Sequence, residues 1–174
     1  MSSPAKSIID QCVAQSKANI DLTGVGDAAG IPAANVHKLH VPYQRDDRQR
    51  LTFIRPPALV WTISRNVETP AAAGDNRRYV AYYTALAQIL HTQLEVQSND
   101  VTDSIFKWEY NIRNYFHMGN LRTSADTDNW KITLSPVQKV DLLDDKLFHI
   151  FDDAVAIIPI TFKSSEKHSS TGRV

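Results

Sequence analysis

The sequence predicts an α+β domain in which a mostly antiparallel or mixed sheet is braced by two principal helices, at about 4–20 and 100–117. Three observations support this prediction. Residues 97–120 repeat large apolar side chains at helical spacing, and residues 4–20 do so more weakly. Short segments on both sides of the second helix alternate apolar and polar residues, as strands do. The resulting order of helix, strands, helix and strands is typical of α+β domains.

Length and composition indicate one globular domain. The chain has 174 residues, of which 43% are hydrophobic and 22% charged, which argues against disorder and against a membrane span. Its 19 basic and 19 acidic residues cancel, so we expect no long-range field that attracts DNA or anionic lipid. The N-terminus lacks the apolar core of a signal peptide. The single cysteine, Cys12, excludes an internal disulfide and predicts a small buried hydrophobe in a reduced, cytosolic setting.

The first helix is predicted to begin at Pro4, because Ser3 can cap it and proline suits the first helical position. Its apolar face is interrupted by polar Ser16 and otherwise consists of Ile8, Ile9, Cys12, Val13 and Ile20. Residues 21–35 are rich in glycine and alanine and are expected to form a flexible loop. Two of these glycines could suggest a phosphate loop, but no Lys-Ser/Thr pair follows and no strong strand precedes them.

Two strands are predicted in the next part of the chain. Residues 36–43 alternate well enough for a short strand, which would point His37 and His40 to opposite faces and argues against a shared metal ion. The clearest strand is the segment 59–64. It is entered through two consecutive prolines, which cannot donate ladder hydrogen bonds and indicate a corner or an edge.

The segment that follows is less clear. Residues 67–78 have turn composition and are predicted to be a mobile excursion between strands. In residues 79–97 the apolar side chains could line a helix, whereas the alternation that starts at Leu90 favours a strand, at least over 88–97. The pattern leaves residues 79–87 open between strand and helix.

The second helix, within 97–120, is the strongest local signal. Its apolar face follows steps of four and three residues and consists of Val101, Ile105, Trp108, Ile112 and Tyr115, broadened at its edges by Phe106 and Phe116. Asn99 or Asp100 can cap its N-terminus, and Gly119 is suited to its C-terminal cap. The opposite face is predicted to be wet and carries Lys107, Glu109, Arg113 and Asn114, among which Glu109 and Arg113 are spaced for an ion pair.

The remainder of the chain is predicted to be rich in strands. After a polar loop at 119–129, strands are expected at 130–134, 137–143 and 154–162, and residues 146–151 could be strand or half a helical turn. Pro159 argues for an edge or a bulge in the last of these strands. Residues 164–174 have no apolar pattern and predict a flexible polar tail, so the domain is expected to span 1–163.

The densest polar cluster could hold a divalent cation, since carboxylates and histidine are ligands for Mg²⁺ or Mn²⁺. It consists of Asp144, Asp145, His149, Asp152 and Asp153. The calcium-loop pattern of alternating ligands, central glycine and closing glutamate is absent from it. Two Asp pairs that bracket a short apolar run favour turns at the ends of a strand, so no metal site is assigned.

Other polar groups have equally ordinary interpretations. An arginine-rich stretch with aromatic neighbours could bind RNA or phosphate, but Asp46 and Asp47 dilute its charge and favour a solvated loop or a subunit contact. The arginines are Arg45, Arg48, Arg50 and Arg55. The three tryptophans, Trp61, Trp108 and Trp130, favour core positions, and Tyr79, Tyr82 and Tyr83 could serve an interface or pack locally. No nucleophile, Walker or zinc motif is present, so no catalytic or cofactor-binding residue is predicted, nor any enzyme activity.

One resemblance covers most of the chain. A short helix, a Gly/Ala loop, the proline-entered strand RPPALVWTI, a variable loop, the strand ILHTQLEV, the helix NDVTDSIFKWEYNIRNYF, the strand AVAIIPITF and a polar tail follow in this order. This order and the chain length resemble the tail terminator (tail completion) proteins of long-tailed bacteriophages. They also resemble, more loosely, other neck and minor tail proteins.

The resemblance implies a structural virion protein without catalytic residues. Such a subunit assembles, commonly as a hexameric ring, at the head-proximal end of the tail tube. There it stops polymerisation of the tube protein and presents a surface to the head-tail connector, and DNA passes through without being gripped. The resemblance therefore implies a location in the virion tail or neck after synthesis in the host cytoplasm. Segments suited to order on assembly are 21–35, 67–78, 119–129 and 164–174.

Two interpretations from other classes stay open. One is a small metal-dependent hydrolase that uses the cluster at 144–153. The other is a monomeric module that binds protein or RNA through the loop at 45–55.

Overall fold

The computed structural model describes residues 4–39, 54–70, 78–92, 99–117, 130–134 and 153–167. Two α-helices and five strands lie within them, together with a single 3₁₀ turn at Ala33–Asn35. The helices are α1 (Pro4–Ala18) and α2 (Asn99–His117), and the strands are β1 (Val36–Lys38), β2 (Ala58–Pro70), β3 (Arg78–Thr92), β4 (Trp130–Leu134) and β5 (Asp153–Lys167). The predicted α+β fold with two principal helices is confirmed.

The strands form one mixed sheet in the order β1-β2-β3-β5-β4. The pair β1–β2 is parallel, and the other three pairs are antiparallel. The central strands β2, β3 and β5 are 13, 15 and 15 residues long, well above the usual length of about 5–6. The short outer strands lie at opposite ends of them: β1 pairs with Leu59–Trp61 of β2, and β4 pairs with Phe162–Glu166 of β5.

Both helices pack against the same face of the sheet. Because side chains alternate across a strand, one face of β2, β3 and β5 supplies every second residue to the main core. This core includes Leu59, Trp61, Tyr83, Ala85, Ala87, Ile89, Ile158, Ile160 and Phe162 from the strands and Ile8, Ile9, Cys12, Trp108, Ile112 and Phe116 from the helices. Phe116 meets Trp61 edge-on at 5.4 Å and Phe162 at 6.1 Å between ring centroids, an aromatic geometry that adds to burial.

The opposite face of the sheet holds a smaller core. Ile54, Ala58, Val60 and Leu90 are buried there, and Leu39 and Ile157 pack against them. Further along the strands this face becomes polar: the hydroxyl groups of Thr84 and Thr161 lie 3.0 Å apart in a hydrogen bond.

The interrupted apolar face of α1 has a structural explanation. Ser16 is buried, donates a hydrogen bond to the Cys12 carbonyl oxygen at 2.7 Å and accepts one from Trp61 Nε1 at 3.1 Å. The Ser16 hydroxyl therefore supplies the hydrogen-bond acceptor that the buried indole N–H of Trp61 requires. Cys12 is fully buried as predicted, and that burial raises the pKa of its thiol, so it behaves as an apolar core residue.

Three predictions of local structure are settled or wrong. Residues 79–87 are strand, since β3 is hydrogen-bonded to β2 on one side and β5 on the other. The predicted loop at 67–78 begins too early, because β2 continues past a bulge at Asn66 and pairs Val67–Pro70 with β3. The predicted tail also begins too early, because residues 164–167 pair with β3 and β4. In both cases ladder hydrogen bonds hold polar residues in a strand that their composition does not predict.

Pro159 is accommodated without a bulge in its pairing with β3. It lies opposite Leu86 in a regular register, and it precedes the stretch of β5 that pairs with β4. On the outer side of β5 its missing N–H costs no ladder bond to β3. The expectation of an edge position therefore holds locally, within the described residues, although β5 as a whole has strands on both sides.

Several predicted segments lie outside the described residues. They are 40–43, 71–77, 93–97, 119–129, 137–151 and 168–174.

Candidate assembly surfaces

Hydrogen bonds from α2 hold the glycine-rich loop that follows α1. Ser104 Oγ accepts a hydrogen bond from the Val25 N–H at 2.8 Å, and Trp108 Nε1 donates to the Thr23 carbonyl oxygen at 2.9 Å. Asn111 Nδ2 donates to the Asp21 carbonyl oxygen at 2.9 Å. These contacts rise along one flank of α2 at steps of four and three residues. We call this set of contacts between α2 and residues 21–27 the loop clamp.

Charges reinforce the loop clamp at its surface. Lys107 Nζ lies 3.1 Å from the Asp21 carboxylate and 2.7 Å from Thr23 Oγ1. Asp21 also accepts hydrogen bonds from the hydroxyl and the N–H of Thr23, at 2.6 and 3.0 Å. The Thr23 hydroxyl, the Thr23 N–H and then Lys107 stabilise the ionised form and lower the pKa of Asp21 to about 2.

The two glycines of the G-V-G sequence serve this turn. A Cβ at Gly24 would lie 1.8 Å from the Ala28 carbonyl oxygen. Gly26 has a φ of 55°, and a Cβ there would lie 2.4 Å from the Asp100 carboxylate. The carboxylate that occupies this position accepts a hydrogen bond from the Asp27 N–H at 3.2 Å. Asp100 was predicted as a cap of its own helix, and the structure shows it anchoring the loop.

Three expectations about this region are wrong. The predicted flexible loop 21–35 is fastened to α2 through residues 21–27 by the loop clamp. Glu109, predicted on the wet face, is 5% exposed, whereas Phe106, predicted at the edge of the apolar stripe, is 49% exposed. Lys107, predicted on the same face, has a partly exposed side chain that engages Asp21 of the loop. Because the loop covers one flank of α2, the solvent-exposed face of the helix lies closer to Phe106 than predicted.

The solvent face of α2 carries an aromatic pair. Phe106 and Tyr110 are 49% and 57% exposed and are the exposed large hydrophobic residues among the described side chains. Four residues apart, they are neighbours on the helix surface. Arg113 lies next along this face, with Nε 3.4 Å from a buried Glu109 oxygen. This predicted pair is present as an ion pair whose length exceeds that of a good hydrogen bond.

The sheet offers two incomplete edges within the described part of the chain. On the side of β2 that faces away from β3, a strand covers residues 59–61 and none covers 62–70. On the corresponding side of β5, a strand covers 162–166 and none covers 153–161. Unpaired N–H and C=O groups on such edges are templates for pairing with another chain. These two segments are equal in length and lie on opposite edges of the sheet.

The structure bears on few of the polar candidates from the sequence. Of the cluster at 144–153, only the backbone of Asp153 is described, and Arg45, Arg48, Arg50 and His40 lie outside the described residues. No group of three or more His, Cys, Asp or Glu side chains that could hold a metal ion occurs among the described residues.

Other candidates have structural positions. Arg55 is exposed beside the start of β2, where Asn35 Nδ2 donates a hydrogen bond to its carbonyl oxygen at 2.8 Å. His37 is half-buried, and this burial, together with the charge of Lys17, lowers its pKa. Tyr83 is 3% exposed and belongs to the core. Trp61 and Trp108 are fully buried, which confirms their predicted core positions.

An open cleft of about 470 Å³ lies beside the C-terminal end of α1. It is lined by residues 16–17, 20–23 and 30–33. Lys17 and Asp21 are its charged groups, and the loop clamp forms one wall. Because Lys107 and Thr23 already engage Asp21, the cleft holds no polar cluster that converges on a ligand position.

Comparison with protein families and with characterised proteins finds no match: no family model matches the chain, and no curated protein matches its sequence. Among the helices that the structure describes, none combines the length and the apolar character needed to cross a membrane.

Proposed function

We propose that this chain is a tail terminator subunit of a long-tailed bacteriophage. It would assemble head-to-tail into a ring, commonly of six subunits in the family it resembles, that caps the tail tube and joins it to the neck. The observation that carries the proposal is the pair of incomplete edges on opposite sides of the sheet. The element order quoted above, from the first helix to the strand AVAIIPITF, supports the same assignment.

A ring requires two different surfaces on each subunit that fit each other. The open segments 62–70 and 153–161 satisfy this requirement in length and direction. Because β2 and β5 both run antiparallel to β3, they point the same way. Suppose that residues 62–70 of β2 in one subunit pair with residues 153–161 of β5 in the next. The β1 strand of the first subunit would then lie before the start of that β5, and the β4 strand of the second subunit would lie beyond the end of that β2. Neither short outer strand would therefore block the pairing of the two open segments.

The long central strands suit the same role. At about 3.3 Å per residue, a strand of 15 residues extends about 50 Å. The 19 residues of α2 extend about 28 Å at 1.5 Å per residue. A sheet longer than the helix that braces it leaves strand ends available for contacts between subunits. The balanced charge of the chain fits a ring through which DNA passes without a strong electrostatic grip.

One variant tests the strand edge directly. Pro159 lacks an N–H and keeps its regular register with β3 if its nitrogen faces the outer side of β5. Ile157, two residues earlier, presents its N–H to the same side. Ile157→Pro should therefore leave the β3–β5 ladder intact and remove one outward donor from the edge. Ile157→Ala is the matched control, because it shortens the same side chain and keeps the N–H.

The assay is native mass spectrometry of the protein alone and mixed with the tube subunit. The wild type and Ile157→Ala should form closed rings, at least in the presence of tube ends, and Ile157→Pro should form few or none while keeping its circular dichroism spectrum. Equal ring formation by folded Ile157→Pro would exclude the β5 edge from the interface. A wild type that forms rings and binds the connector without binding tube ends would instead be another neck protein of the same virion.

A further inference from the structure

We propose that the solvent face of α2 is a docking surface for a second copy of this chain, with the two α2 helices antiparallel across a two-fold axis. The surface consists of Asn99, Asp103, Phe106, Tyr110, Arg113 and His117, and we call it the α2 seam. This inference concerns a contact separate from the sheet edges, and it does not rest on the proposed function.

The α2 seam has the spacing of a coiled-coil stripe. Its residues follow one another at steps of four, three, four, three and four, which keeps them on one side of a helix that faces a partner helix. The buried stripe that begins at Val101 has the same spacing on the other side. All six seam residues are exposed, except that Arg113 is half-buried. Α2 therefore presents a second helical stripe that no described residue covers.

The seam is self-complementary in one direction. In an antiparallel pair centred on Trp108, each residue faces the one equally far beyond the centre: Phe106 meets Tyr110 of the second copy, and Asp103 meets Arg113. The aromatic residues come together at the middle of the seam, with an ion pair of opposite charges on each side. A parallel pair would instead place Asp103 beside Asp103 of the second copy and Arg113 beside Arg113 of the second copy. Both contacts join like charges and are repulsive. Charge therefore selects the antiparallel arrangement.

Arg113 keeps the capacity for this contact. Its Nε group lies 3.4 Å from Glu109, but a guanidinium group has five N–H donors in a planar fork. Its side chain is 43% exposed. Four half-exposed aromatic side chains, at about 150–250 Å² each when fully buried, would bury roughly 400 Å² between them. That is below the roughly 1,000 Å² of a stable complex, so we expect a weak contact that forms at high protein concentration.

Cysteine cross-linking tests the register. A tagged Phe106→Cys variant is mixed with an untagged Tyr110→Cys variant, and disulfides are formed with oxidised glutathione. Cys12 is fully buried and should not react. We expect the mixed disulfide between the two variants to form in excess over either homodimer. A parallel pair would give mainly homodimers of each variant, and the absence of any dimer up to about 1 mM protein would mean that the seam does not dock a second copy.

Charge reversal tests the ion pairs. Asp103→Arg should reduce self-association in sedimentation equilibrium at least tenfold, and adding Arg113→Asp to it should restore most of the loss. Ala14→Arg, on the exposed side of α1, is the control and should change nothing. If Arg113→Asp unfolds the chain by disturbing Glu109, Asp103→Arg and the cross-linking pattern still decide. If the Asp103→Arg variant self-associates as strongly as the wild type, the proposed seam is wrong. If the chain self-associates but gives different cross-links, the contact lies on another surface.

Discussion

Replacing Trp108 with alanine should cost a large part of the folding free energy. The Trp108 side chain is fully buried, its ring stacks on His91 with centroids 6.3 Å apart, and its Nε1 donates to the Thr23 carbonyl oxygen at 2.9 Å. Truncating a buried tryptophan to alanine typically costs about 3–5 kcal/mol. The lost hydrogen bond adds about 0.5–1.5 kcal/mol. The expected total of about 4–6 kcal/mol approaches the whole stability of a marginal domain, about 5–15 kcal/mol.

Two further variants separate packing from the loop clamp. Trp108→Phe keeps an aromatic ring in the core but shortens the side chain and removes the hydrogen-bond donor, so it should cost about 1–3 kcal/mol. The Thr23 carbonyl oxygen also accepts a hydrogen bond from Lys107 Nζ at 3.3 Å and keeps that partner. Tyr110→Ala changes a side chain that is 57% exposed and should stay within about 0.5 kcal/mol of the wild type.

The assay is urea unfolding followed by far-UV circular dichroism, in dilute protein so that self-association does not contribute. The free energy of unfolding should fall in the order Tyr110→Ala, Trp108→Phe, Trp108→Ala. A loss below about 1.5 kcal/mol for Trp108→Ala would refute the conclusion that this residue joins α2, the sheet and the loop.

Two more predictions concern the loop clamp. Gly24→Ala should destabilise the chain by several kcal/mol, because its Cβ would lie 1.8 Å from a backbone oxygen of Ala28; thermal unfolding measures the loss, and Ala29→Ser in the same loop, at an exposed position, is the control. Asp21 has a pKa lowered to about 2, against about 3.9 in unfolded chains. Its contribution to stability is therefore present above about pH 4 and lost as pH falls towards 2. Asp21→Asn should flatten the decline of the unfolding free energy in that window, and an unchanged slope would contradict the assigned contacts.

Periodicity predicted the two helices and the direction of their core faces. Val101, Trp108 and Ile112 recur on one side of α2, and all three are buried. The edges of that face could not be predicted, because they depend on what packs beside the helix. The loop clamp covers one flank through contacts between residues about 80 positions apart in sequence. Local spacing contains no information about such contacts, so Glu109 and Phe106 were assigned to the wrong faces.

The lengths of the strands could not be predicted from the sequence either. Residues 67–70 and 164–167 are mostly polar and lack the apolar alternation of a half-buried strand. They are strands because β3 runs between β2 and β5 and pairs with both. The incomplete edges follow from those lengths and from the offset of β1 and β4. The incomplete edges arise from the offset of five strands and cannot be recognised from any single strand. From the sequence alone, the function could therefore be predicted only through the family resemblance.

The most direct test of the proposed function is electron microscopy of tubes assembled from the major tube protein of the same virus, with and without this chain. We predict tubes of limited length that carry a ring at one end when the chain is present and tubes of unlimited length when it is absent. Tubes whose lengths and ends are the same in both samples would contradict the assignment as a tail terminator.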